Sequence, residues 1–175
     1  MMEHFDKIFL VGFMGSGKST TARKLASKLG WTFIDLDQKI EDKAGKRITE
    51  IFSDDGEAWF RRLESEALRE AISARHAVIS TGGGTPCFSG NMDLMVSNGL
   101  TVYLKMTPEK LRNRLSHSTG KRPLLLGMTE DELPGFIERK LDEREKWYLK
   151  AAIVTDPSAG GLADLYSEVR KHVEE

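Results

Sequence analysis

The sequence has little of several things that mark specialised chains. It holds one cysteine, Cys87, in 175 residues, so no internal disulfide and no zinc-spaced cysteine cluster is available. That usage fits a reducing compartment, and a cytoplasmic location is expected. Neither charge sign is in excess, since 26 basic and 27 acidic residues give a net charge of −1. Overall charge therefore offers no attraction to nucleic acid or to a membrane surface, and neither partner is expected. Long apolar runs are missing too. The run Ile8–Gly12 falls far short of the ~20 residues that span a bilayer. Met1–Lys7 lacks the basic start and apolar stretch of a signal peptide. There is no repeat and no low-complexity tract. What remains is one soluble domain, and a monomer is expected from its size.

What is present alternates between short β-like and longer helical patterns. Lys7–Gly12, Thr32–Leu36, Ala77–Ser80, Leu100–Lys105 and Ala152–Thr155 read as strands. Ser19–Leu29, stopped by Gly30, and Ala58–Ala74 carry apolar residues at helical spacing. A helix begins at Thr107-Pro108, with Thr as N-cap. Another ends near Leu149 and starts either at a Thr129–Glu132 capping box or at Pro134. Leu162–Val173 reads as the last helix. Such alternation implies a parallel sheet covered by helices, with ligands at the edge where strands end. Leu115–Met128 breaks the rhythm and reads as a surface loop or, from its basic centre Lys121-Arg122, as a lid.

Gly12–Ser19 (GFMGSGKS) matches G-x-x-x-x-G-K-[ST] between an expected strand and an expected helix. Glycines let backbone N–H groups converge on phosphate oxygens, and the new helix adds its positive end. Lys18 supplies a mobile charge for the β/γ-phosphates, and the Ser19 hydroxyl is a ligand suited to Mg²⁺. This motif points to a nucleoside triphosphate without naming the reaction.

Three clusters bear on the acceptor, each with a plainer alternative. Strand alternation would put the Asp35 and Asp37 carboxylates on one side, for Mg²⁺ and a substrate hydroxyl; Asp is equally common at a solvated helix start. Arg61 forms either a helical surface pair with Glu64 or a fork for a carboxylate, steadied by Glu64. Gly82–Gly84 is a flexible turn or a bare-backbone contact for a small ligand. Arg144, judged locally, is a solvent-facing helix residue. Trp31, Trp59 and Trp147 read as packing residues. His4, His76, His117 and His172 have no metal-like spacing.

Together these motifs resemble the shikimate kinase family over essentially the whole chain. The matching features are GFMGSGKST at Gly12–Thr20, DLD at Asp35–Asp37, FRRLE at Phe60–Glu64, STGGG at Ser80–Gly84, RPLL at Arg122–Leu125 and R-x-x-x-Y at Arg144–Tyr148. The resemblance implies an α/β, three-layer P-loop NTPase fold with a five-stranded parallel sheet. It also implies a small helical substrate-binding insert at about 36–65 and a lid at about 115–128. The implied reaction moves the γ-phosphate of ATP to the 3-hydroxyl of shikimate, in chorismate and aromatic amino acid biosynthesis. Carried over, Gly15, Ser16, Gly17, Lys18, Ser19 and Thr20 would cradle ATP phosphates. Ser19 would bind Mg²⁺ directly and Asp35 through water. Asp37 would meet shikimate hydroxyls and act as base. Arg61 and Arg144 would hold the carboxylate from two sides, with a Gly83 N–H nearby, and Arg122 would reach ATP from the lid. Met106–Arg114 and Thr155–Ser158 would flank adenine.

The chain departs from the family pattern at Lys146, where proline is common, and at Ala151-Ala152, usually Ala-Asp. TDPSAG (Thr155–Gly160) has no counterpart for an arginine often found in the adenine loop. A gluconate kinase of the same fold is the nearest rival. A nucleoside monophosphate kinase would need a base-binding pattern, and a GTP-hydrolysing switch an N/T-K-x-D motif; neither pattern is found.

Overall fold

A computed structural model describes residues 4–117 and 122–173. Five parallel strands pair in the order β2-β3-β1-β4-β5: Thr32–Asp35, Ala77–Ser80, Lys7–Val11, Leu100–Leu104 and Ile153–Thr155. Every residue of β1, β3 and β4 is buried, as strands covered on both faces require. Alternation sorts β1 between two cores. Phe9 and Val11 join the side covered by α2 (Leu36–Ala44), α4 (Glu57–Ile72) and α7 (Leu133–Tyr148). Ile8 and Leu10 join the side covered by α1 (Lys18–Leu29) and α8 (Gly161–Arg170). The result is the three-layer architecture.

Chain direction fixes where the chemistry can sit. β1 lies between β3 and β4: the chain leaves it toward β2 in one half of the sheet, and after β3 it crosses to β4 in the other. Loops after β1, β2 and β3 meet in the crevice beyond the strand ends, where open α/β sheets bind ligands. The register sets Asp35 opposite Ser80 and Leu10 opposite Ser80 across the neighbouring pair.

Several boundaries differ from the sequence reading. α4 begins one residue before the expected Ala58 and stops at Ile72. α7 starts at Leu133 with Pro134 in its first turn, while Glu132 accepts the Thr129 N–H at 2.9 Å in the preceding turn. α8 ends at Arg170, and Val173 instead bridges to Phe5. Periodicity does not mark three helices: α2 and α3 (Ile48–Asp55), which lie where the resemblance implies a helical insert, and α5 (Asn91–Asn98). Each is short, fully burying only Leu36 and Ile40, Ile51, or Asn91, Met92 and Met95. α6 (Pro108–Leu115) starts as expected, with the Thr107 side chain accepting the Lys110 N–H. Trp59 is not a packing residue: it is 44% exposed, beneath the Arg62 guanidinium. Among the described residues no helix is long and apolar enough to cross a membrane.

Candidate active site

The phosphate loop joins β1 to α1. Its turn needs Gly17, whose φ of 87° is left-handed and whose Cβ would meet Arg114 Nη1 at 3.0 Å. The buried Lys18 Nζ donates to the Gly12 and Phe13 carbonyls at 2.8 and 2.9 Å. Burial, with Arg122 nearby, pulls its pKa down to about 7. Ser19 Oγ donates to Asp35 Oδ2 at 2.9 Å and lies 3.1 Å from Ser80 Oγ. Asp35 Oδ1 caps α2 by accepting the Asp37 and Gln38 N–H groups. Here the alternation argument fails, because the backbone turns helical at Leu36. Both carboxylates nonetheless line the same cavity. The oxygen donors of Ser19 and Asp35, already within hydrogen-bond distance, suit a hard cation such as Mg²⁺.

Beside the loop lies a cavity of about 590 Å³, lined by Asp37, Arg61, Gly82–Gly84, Arg122 and Arg144 among others. Burial, reinforced by Glu64 and Asp35, pushes Asp37 up to about 6. Arg144 is only 5% exposed, which overturns the local expectation of a solvent-facing residue. Its Nη1 has no hydrogen-bond partner among the described residues, and the same holds for Arg122 Nε. Burial also lowers the Arg122 pKa. Lys121, beside it, lies outside the described residues.

Arg61 does pair with Glu64 across one helical turn, at 2.9 Å, but the pair is buried rather than on the surface. Glu57 holds its other edge at 3.2 Å. The glycine run explains how Arg61 fits: a Cβ on Gly84 would lie 2.5 Å from Arg61 Nη1. Behind these groups runs a polar network that local patterns did not reveal. Thr85 Oγ1 donates to Glu64 Oε2 at 2.7 Å, Asn91 Nδ2 to the Thr85 carbonyl at 3.0 Å, and Ser65 Oγ to Asn91 Oδ1 at 2.8 Å. Tyr148, one turn beyond Arg144, donates its hydroxyl to the Gly83 carbonyl. The R-x-x-x-Y spacing carried that signal, since i and i+4 share a helix face.

On the other side of the loop, Gly17, Thr20, Arg114, Thr155 and Pro157 line a second depression. Arg114, expected only at the end of a segment flanking adenine, borders both this groove and the phosphate loop.

A phosphate loop after the central strand of a 2-3-1-4-5 parallel sheet, opening onto a cation-lined cavity, defines a P-loop kinase with the nucleoside-monophosphate-kinase type of fold. The family model described as shikimate kinase matches residues 14–174. A shikimate kinase of Parabacteroides distasonis is 44% identical over 150 residues, covering 86% of this chain and 87% of its own. The crystal structure of the Bacteroides thetaiotaomicron shikimate kinase aligns with a TM-score of 0.86 at 38% identity, over 94% of this chain and 96% of that one. The Acinetobacter baumannii shikimate kinase, solved in complex with shikimate, aligns with a TM-score of 0.87 at 33% identity, over 97% and 93%. The chain belongs to the shikimate kinase family.

Proposed function

We propose that this chain transfers the γ-phosphoryl group of ATP to the 3-hydroxyl of shikimate, giving shikimate 3-phosphate and ADP for chorismate and aromatic amino acid biosynthesis in the cytoplasm. One observation carries the reading. Asp37, Gly82, Gly83 and Arg122 line both the acceptor cavity and the phosphate-loop depression, so acceptor and donor share a wall. In this scheme residues 36–65 serve the acceptor, 115–128 form the lid, and a monomer suffices.

Gly15, Ser16, Gly17 and Thr20 surround the phosphates with backbone donors and the helix start. Lys18 exchanges its bonds with the loop carbonyls for phosphate oxygens. Arg122 adds a planar cation to the charge that builds on the transferred group. Arg61 and Arg144 grip the acceptor carboxylate, helped by N–H groups of the glycine run around Gly83, and so set its hydroxyl in line with phosphorus. Asp37 holds that hydroxyl and takes its proton, a role suited to a carboxyl titrating near 6. Ser19 directly, and Asp35 through water, would hold Mg²⁺. Bound there, the ion would supply neutralisation of phosphate charge. Excluding water from the shared wall limits wasteful ATP hydrolysis.

The test is ADP release measured with and without shikimate, alongside gluconate and nucleoside monophosphates. Strict dependence on shikimate is expected. Equal turnover with gluconate, or with no acceptor, would overturn the assignment.

A further inference from the structure

The Arg61 guanidinium is held by rings as well as by carboxylates. Its Cζ lies 4.1 Å from the centre of the Phe88 ring and 5.1 Å from that of Phe60. Phe60 lines the acceptor cavity, whereas Phe88 is not among the lining residues. Phe88 is 36% exposed, and the next two residues, Ser89 and Gly90, have φ of 53° and 68°. A non-glycine residue in that region is uncommon, so the chain adopts an unusual bend directly after Phe88.

The two acidic partners of Arg61 are unequal. Glu64 is buried and fixed by Thr85. The Glu57 side chain is 49% exposed, free to draw the guanidinium outward. A ring against the face of a guanidinium resists that motion without competing for the in-plane N–H groups that Glu57 and Glu64 leave over on Nη1 and Nη2 for a carboxylate.

We propose that Phe88 is a positioning residue for the acceptor carboxylate: its ring seats the Arg61 guanidinium in the cavity wall and blocks its swing toward solvent. This rests on the reading of Arg61 as a carboxylate anchor. Phe88 acts through Arg61 alone and touches neither ATP nor the reacting hydroxyl.

The experiment compares Phe88→Leu, Phe88→Tyr and Arg61→Met, and the Leu/Met double variant, in steady-state assays with each substrate varied. Phe88→Leu keeps apolar bulk but removes the π face. Its shikimate KM should rise about 3- to 10-fold. The ATP KM and the melting temperature should stay at wild-type values. Phe88→Tyr, which retains the ring, should restore the shikimate KM. In the Arg61→Met background, Phe88→Leu should add little, because the cation it seats is gone. An unchanged shikimate KM in Phe88→Leu, equal rises for both substrates, or full additivity with Arg61→Met would overturn the role of Phe88. Arg61→Met without effect on the shikimate KM would overturn the anchor reading itself, and the role of Phe88 with it.

Discussion

Asp37→Asn should make the protein more stable and far less active. The carboxyl sits at about 6 instead of its ordinary 3.8, so the fold disfavours its charge. A shift of about two units corresponds to roughly 3 kcal/mol of destabilisation when the group is ionised. Asparagine keeps the shape and removes the charge. For a domain of this size each kcal/mol moves the melting point by roughly 2–4 °C, so a gain of about 6–12 °C is the upper expectation at pH 8. The sign follows from proton binding. Between 3.8 and about 6 the folded chain holds the proton and the unfolded chain has lost it. The penalty is therefore complete above about 6 and is relieved as pH falls through that window. Thermal unfolding of wild type and variant at pH 8 and near pH 4 reads it directly, and the advantage should shrink at the lower pH. Turnover should drop by at least ~100-fold, the lower range for a lost general base. A variant that melts no higher than wild type at pH 8, or gains as much at pH 4, would refute the burial argument. Near-normal turnover would remove Asp37 as the base.

Arg122→Ala should lower kcat about 100-fold with little change in shikimate KM, because its charge is asked to act on the transferred group; an unchanged kcat would exclude that. Arg144→Met should raise the shikimate KM by roughly 10- to 100-fold, the scale of a lost charged hydrogen bond, and leave the ATP KM alone. Thr85→Val removes a donor from buried Glu64 and should cost about 1–3 kcal/mol in denaturant unfolding; no loss would show that Glu64 finds another partner.

What the sequence displayed best was contiguous. The phosphate loop needs its residues in one turn, so Gly12–Ser19 announces itself, and β1 shows as an unbroken buried run. Periodicity does not display helices α2, α3 and α5 because each is only eight or nine residues long, too short for the spacing of its few fully buried residues to stand out. Arg144 illustrates a deeper limit. On its own helix it looks like any cation facing water, and its burial is created by Gly83 and Phe13, which are distant in sequence. Family resemblance named it; periodicity had no means to. The alternation argument for Asp35 and Asp37 failed differently, since Asp35 caps a helix and Asp37 lies on that helix rather than on the strand. Phe88 and Thr85 carry no local signal, for their partners lie on α4.

The bond from Tyr148 to the Gly83 carbonyl reaches beyond the atom it touches. A trans peptide is a rigid plate, with its carbonyl and the next residue's N–H on opposite edges. Pinning the oxygen toward Tyr148 therefore fixes the Gly84 N–H on the opposite edge of that plate, within a glycine run that lines the cavity. A phenol with no place in that cavity's lining thereby acts as a lever on it. Any change that tilts α7 would re-aim a donor in the glycine run without altering a single residue there.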